Sequence, residues 1–204
     1  TTASERLGVP IKLTDYVEDI GFARNTVEEC YQQILTDAKE AIRHLKGVTP
    51  STNYRAGENA ARALLAKTAL YMGDWSTVVA QCDTILSFPK GLSLCDFNTT
   101  TLSEYATSSS YNALIRSNSN PEAIFAGGFS TSGTFQLTQR VTFIVSNELL
   151  ALYDDNDLRF SSGVNSYFFQ YSNGRYGSYR LSAASRLTNN SLLLSEVYLN
   201  MAEA

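Results

Sequence analysis

From Val27 onward, apolar residues recur at helical spacing. Val27, Tyr31, Ile34, Ala38, Ile42 and Leu45 form one stripe, which predicts an amphipathic helix. Thr26 and Glu29 predict a capping box at its start, the threonine hydroxyl serving the backbone and the glutamate reaching back. Gly47 and Pro50 end it. The next periodic stretch, AGENAARALLAKTALYMGDW, is apolar or small nearly all round. Ala60, Ala61, Ala63, Leu64, Leu65, Ala66, Ala69 and Leu70 mark a central helix packed on several sides. Gly73-Asp74 breaks it, and Trp75, Val78, Val79, Cys82, Ile85 and Leu86 stripe a further helix as far as Pro89, with Trp75 read as core.

A small-residue helix, a Gly-Asp-aromatic turn, a second helix and a proline follow the grammar of a tetratricopeptide (TPR) pair. Val78 stands where that consensus prefers alanine. Ahead of these helices, residues 1–25 read as an extended connector, since Pro10 keeps Val9 out of helical conformation. Beyond them, residues 91–120 turn polar and rich in Ser, Thr and Asn, without periodicity, and read as a long loop with at most a short helix. PEAIFAGGF is strand-like, and VSNELLALYDDNDLRF a short helix ending near Tyr153 with an acidic turn into Arg159. SYFFQYSNGRYGSYRL predicts a β-hairpin: aromatic residues alternate on either side of Asn173-Gly174, with Tyr167, Phe169 and Tyr171 in cross-strand pairs. Ser191 to Ala204 reads as a last helix, its stripe carried by Leu194, Val197, Tyr198 and Met201. It looks like the first helix of another TPR-type pair whose partner lies beyond Ala204, because a lone solenoid helix cannot bury its own apolar face.

The expected fold class is therefore mainly α: TPR-type helix pairs of an α-α superhelix, long loops and a small β-hairpin. Residues 26–90 hold the TPR-type helices, 91–140 a loop-rich insert, 141–190 the short helix and hairpin, and 191–204 the start of a further TPR helix.

Composition narrows the function classes. A net charge of −4 with no basic cluster argues against nucleic acid. No run free of both charged and strongly polar residues approaches a membrane span. The start, TTASERLGVPIKL, has no initiator Met, signal segment or lipid-attachment cysteine, so both ends read as cut. The spacing of Cys30, Cys82 and Cys95 fits neither a zinc nor a redox motif, and all three read as structural thiols.

Catalytic chemistry finds little support. The single histidine, His44, sits in the last turn of a helix, where an imidazole suits the negative end of the dipole. DDNDLR departs from the calcium-loop template, with Leu158 at its fifth position and no glutamate at its twelfth. Asp157 and Arg159 read instead as pinning a turn. Glu28 with Glu29, or Glu196 with Glu203, would have to serve as the paired acids of a glycosidase, yet Glu29 is committed to the cap. No metal or cofactor is expected.

The aromatic residues are what remains. Chain composition includes 12 Tyr and 10 Phe, some of them in loops without helical pattern. Rings on Ser/Thr/Asn-rich loops suit sugars, whose C–H faces stack on a ring while the hydroxyls find polar partners. Tyr105, Tyr111, Phe129 and Phe135 are the candidate ligand-binding residues; the bland alternative is that they anchor the loops onto the helices.

The order of segments resembles the SusD/RagB family of outer-membrane nutrient-binding lipoproteins of Bacteroidota. LGVPIKL looks like the family's Gly-Val-Pro segment. Arg24, Thr26, Val27, Glu29, Tyr31 and Ile34 are similar to its first helix, and AARALLAKTALYMGDW to its Ala-rich helix with Tyr-x-Gly-Asp. Asn120, Glu122, Ile124 and Phe125 match its Asn-x-Glu-x-Ile-Phe, and Leu152, Tyr153, Asp157 and Arg159 its Leu-Tyr-x-x-x-Asp-x-Arg. SEVYLNMAEA is similar to its Ala-Glu-x-Tyr-Leu-x-x-Ala-Glu-Ala helix, with Ser195 in a place usually held by alanine.

The resemblance implies an internal fragment of a longer, non-enzymatic protein, lipid-anchored at the outer membrane and exposed on the cell surface. That protein would bind an oligo- or polysaccharide and pass it to a SusC-like TonB-dependent transporter. It would touch the membrane only through an N-terminal lipid absent from this chain. The family's shared motifs are scaffold motifs, so no binding residue carries over. The alternative is a TPR-type module that binds proteins or peptides, which would line a concave groove with Asn, Lys and Arg.

Overall fold

The computed structural model describes residues 2–17, 19–96, 121–130, 146–154, 156–157, 168–170, 174, 176–178 and 187–204. The chain divides into two compact units, one of residues 1–49, 56–89 and 196–204, the other of residues 50–55 and 90–195.

Helices make up the first unit. α1 (Val27–Leu45) begins at the expected capping box: Glu29 N–H donates to Thr26 Oγ1 at 3.1 Å, and Thr26 N–H to Glu29 Oε2 at 2.8 Å. Its last turn carries Arg43 and His44, and Gly47 follows in the left-handed region at φ 74°. The connector ahead of it is tied to the start of the helix, where Leu7 bridges Thr26 and Val27 N–H donates to Arg6 O at 2.9 Å. Gly8 packs so closely on α1 that an added Cβ would lie 2.8 Å from Cys30 Sγ. That approach gives the Gly-Val-Pro segment its physical reason.

α2 (Glu58–Met72) is the central helix. Ala60, Ala61, Ala63, Leu65, Ala66 and Ala69 are buried, together with Asn59 and Thr68, and α1 and α3 both pack on it. Small side chains let helix axes approach on more than one side. Gly73, at φ 74°, closes α2: its N–H reaches Leu70 O, and Asp74 N–H reaches Ala69 O, the paired bonds of a Schellman motif. Asp74 then caps α3 (Trp75–Ser87), accepting from Thr77 N–H at 3.1 Å. Val78, Cys82 and Ile85, spaced one helical turn apart, form the buried seam of α3. Trp75 is not part of it. It occupies the first turn of α3 beside that seam and is 47% exposed, against the expectation of core. Asn59 Nδ2 donates to Phe88 O at 3.2 Å, satisfying a buried amide and joining the start of α2 to the end of α3.

The second unit holds the strands. β1 (Ala123–Ser130) matches the strand-like PEAIFAGGF, and β2 (Phe168–Gln170) pairs antiparallel with β3 (Tyr176–Ser178) as the expected hairpin, with Gly174 at φ 80° between them. Phe169 lies opposite Gly177; Tyr167, Tyr171 and Asn173 lie outside the described residues. The expected short helix is a single turn, α4 (Asn147–Leu150), capped by Ser146 Oγ. After it, Asp154 accepts from Asn156 N–H at 2.6 Å and from Asp157 N–H at 3.0 Å, so Asp157 does sit in a tight turn. Arg159 lies outside the described residues.

β4 (Leu187–Leu193) was not legible as a strand. It pairs antiparallel with β1, so the segment read as the start of the last helix is extended until Leu193, and α5 runs Leu194–Glu203. Leu194 and Val197 of α5 are buried as its stripe requires.

Candidate functional site

Three of the four candidate ligand-binding residues, Tyr105, Tyr111 and Phe135, lie outside the described residues. The fourth, Phe129, stands near the end of β1 opposite Thr188 of β4. The same register sets Gly128 opposite Asn189, Gly127 opposite Asn190 and Ala126 opposite Ser191. An aromatic residue, a pair of glycines and a run of hydroxyl and amide residues thus share one antiparallel ribbon.

The ribbon is anchored within its own unit. Leu194 N–H donates to Glu122 O at 2.9 Å, Cys95 N–H to Glu122 Oε1 at 2.8 Å, and Ser93 N–H to Pro121 O at 3.1 Å. Ala126 N–H donates to Asn53 O at 2.9 Å, which brings the turn Thr52–Arg55 against β1. Tyr54 sits in that turn with its side chain exposed. The sequence reading passed over it, although STNYR has the Ser/Thr/Asn-plus-ring composition used to select the other candidates.

Several of the described carboxylates are engaged in structural roles. Glu29 is held below the usual carboxylate range by the Thr26 backbone N–H and then by Asn25. Glu40 is held low by hydrogen bonding and charge from Arg43, and Asp74 by the Thr77 and Ser76 hydroxyls. A general acid needs the opposite shift. Glu58 pairs with Arg62 at 2.8 Å, and Glu196 with Lys67 at 2.5 Å. Exposed His44 lies 3.6 Å from Glu40, in the helix-end role expected of it. Burial pushes the Cys82 thiol up, which makes it an inert core residue, and none of the three cysteines is in a disulfide. Among the described residues no cluster of His, Cys, Asp and Glu could hold a metal ion, and no helix is long and apolar enough to cross a membrane.

Residues 4–70 match the SusD-like family described as starch-binding and associating with the outer membrane. No curated protein matches the chain. Among solved structures, a SusD superfamily protein from Bacteroides vulgatus is 23% identical, with a TM-score of 0.68 over 97% of this chain and 46% of that one. A SusD-like carbohydrate binding protein from the same organism is 19% identical, with a TM-score of 0.65 over 97% and 44%. Surface glycan-binding protein A from Bacteroides uniformis is 13% identical, with a TM-score of 0.61 over 98% and 50%. The chain spans half or less of the length of each of these structures. At such identities the likeness establishes the fold, mainly helical with small antiparallel sheets. Residues 4–70 are thus similar to the SusD-like family, and the chain shares the fold of these SusD superfamily structures.

Proposed function

We propose that the intact protein captures glycans at the outer surface of the outer membrane, without cleaving them, and delivers them to a SusC-like TonB-dependent transporter. The observation that carries this reading is the match of residues 4–70 to a family described as starch-binding and associating with the outer membrane. Two structures of the same fold are named as carbohydrate- and glycan-binding proteins, which supports the same ligand class. In this reading the intact protein is held at the membrane by a lipid.

The binding residues of this proposal are Tyr105, Tyr111, Phe129 and Phe135, joined by Tyr54. Sugar C–H faces stack on the rings, and hydroxyls bond to the amides and hydroxyls of residues such as Thr188, Asn189 and Asn190. Each such contact is weak, so affinity comes from several sugar units engaged at once. Affinity electrophoresis of the intact protein through a panel of polysaccharides tests the proposal. Retardation by one glycan, relieved by Tyr54→Ala and Phe129→Ala, is the expected result. No retardation across the panel would contradict it and point to a non-glycan nutrient such as peptide.

A further inference from the structure

Charge is unevenly shared between the two units. The first has thirteen Asp and Glu against eight Lys and Arg, whereas the second has seven against eight. All but one of the second unit's cations are arginines. From Leu158 to Ser195 the chain carries four of them, Arg159, Arg175, Arg180 and Arg186, with seven Tyr and Phe and no acid at all. Cations of the first unit are taken up within the protein: Arg43 by Glu40, Arg62 by Glu58 and Lys67 by Glu196.

Two arginines of the second unit fall at the β1–β4 ribbon. Arg55 closes the turn Thr52–Arg55, its N–H donating to Thr52 O at 3.1 Å, and Ala126 N–H of β1 holds that turn through Asn53 O at 2.9 Å. Arg55 is exposed and, among the described residues, pairs with no carboxylate. Arg186, itself outside the described residues, directly precedes Leu187 of β4, which lies opposite Ser130 at the end of β1. At about 3.3 Å per residue, Ala126 and Ser130 are ~13 Å apart along the strand. Phe129, Thr188, Asn189 and Asn190 stand between those two ends. Glu122, the acid next to β1, accepts the Cys95 N–H at 2.8 Å.

We infer that the glycan taken at this ribbon is acidic, its carboxylate or sulfate groups bound by Arg55 and Arg186 at the two ends. The inference rests on the function proposed above for the ligand's being a glycan. A guanidinium presents a planar fork of donors that meets two oxygens of one anion at once, and such charge-assisted bonds are the stronger kind. A neutral sugar offers that fork only neutral acceptors. Nucleic acid is the other polymer that combines rings with anions. Its dense phosphates call for clustered Lys and Arg, which the spaced arginines of a nearly neutral unit do not supply. Aromatic, amide and hydroxyl residues between the arginines suit the uncharged remainder of each sugar.

Affinity electrophoresis of the intact protein through polygalacturonate, κ-carrageenan and neutral amylopectin tests this. Polygalacturonate offers carboxylates without sulfate, and κ-carrageenan sulfates without carboxylate, so the polymer that retards the protein identifies the anion. Retardation by a charged polymer should exceed that by amylopectin and weaken as salt rises. Arg55→Gln and Arg186→Gln should each weaken it about tenfold. Arg55→Lys should restore only part, because an ammonium lacks the planar fork. The melting temperature of Arg55→Gln should match wild type, since that side chain is exposed. Retardation by amylopectin as strong as by the charged polymers, or retardation that neither glutamine variant weakens, would overturn the acidic ligand and leave glycan capture standing. No retardation by any polysaccharide would overturn both. Equally tight binding of a single-stranded oligothymidylate would overturn the glycan assignment in favour of unselective attraction to anions.

Discussion

Lys67 of α2 and Glu196 of α5 meet at 2.5 Å across 129 residues of chain. The ion pair links the last helix to the central one, and Val197 of the last helix is buried. With side chains 37% and 31% exposed, solvent screens the pair substantially. A double-mutant cycle on Lys67→Met and Glu196→Gln, read by chemical denaturation, should give a coupling energy of about 0.5–1 kcal/mol. A coupling of zero would show the pair to be ornamental.

Gly8 packs close against Cys30 of α1, where an added Cβ would lie 2.8 Å from Sγ. Gly8→Ala should destabilise the protein by about 1–3 kcal/mol, because the new methyl group meets Cys30 Sγ at 2.8 Å. Cys30→Ala should recover part of that loss, leaving the contacts of the methyl group with Thr26 O and the Val27 Cα. Additive effects of the two substitutions would mean that the thiol is not what excludes a side chain at Gly8.

How much of this was readable in the sequence depended on how local the signal was. The Thr26–Glu29 box and the Gly73-Asp74 break are written within a few residues, and the structure places both where the sequence did. β4 was hidden because LTNNSLL lacks apolar alternation and takes its extended form from pairing with β1, about sixty residues earlier. Trp75 falls on the predicted stripe, but an element-level pattern does not say which residues at the edge of a stripe are covered. The connector ahead of α1 read as extended because the bonds that fold it back, from the Lys12 and Arg24 side chains to carbonyl oxygens, leave no periodicity. Of the candidate site, Phe129 alone falls among the described residues, and Tyr54 was missed because it lies in a short turn between two helical patterns.

Core and edge positions of α3 should separate cleanly. Ile85→Ala empties a fully buried site and should cost about 2–5 kcal/mol. Trp75→Ala removes a larger side chain that is already half in water, and should cost about 1–2 kcal/mol. Urea denaturation of the two variants checks the ranking. A larger loss at Trp75 would place that ring in the core after all.

Acid should weaken the protein through its helix caps. Asp74 and Glu29 have folded-state pKa values below their ordinary 3.8 and 4.5, so each contributes stability that is fully present above those values. The contribution disappears as pH falls through the lower folded values. Asp74→Ala/Glu29→Ala should therefore lower the melting temperature at neutral pH and flatten its decline below pH 4.5. An unchanged slope in that acid range would mean the caps do not drive it.

Capture without cleavage is the central claim, and one mixture tests it most directly. The intact protein is incubated with the polysaccharide that retards it in gels, and binding and released reducing ends are followed together. Saturable binding with no increase in reducing ends over the protein-free control is the expected result. Reducing ends that accumulate in proportion to protein would contradict the claim and make the protein a glycan-cleaving enzyme.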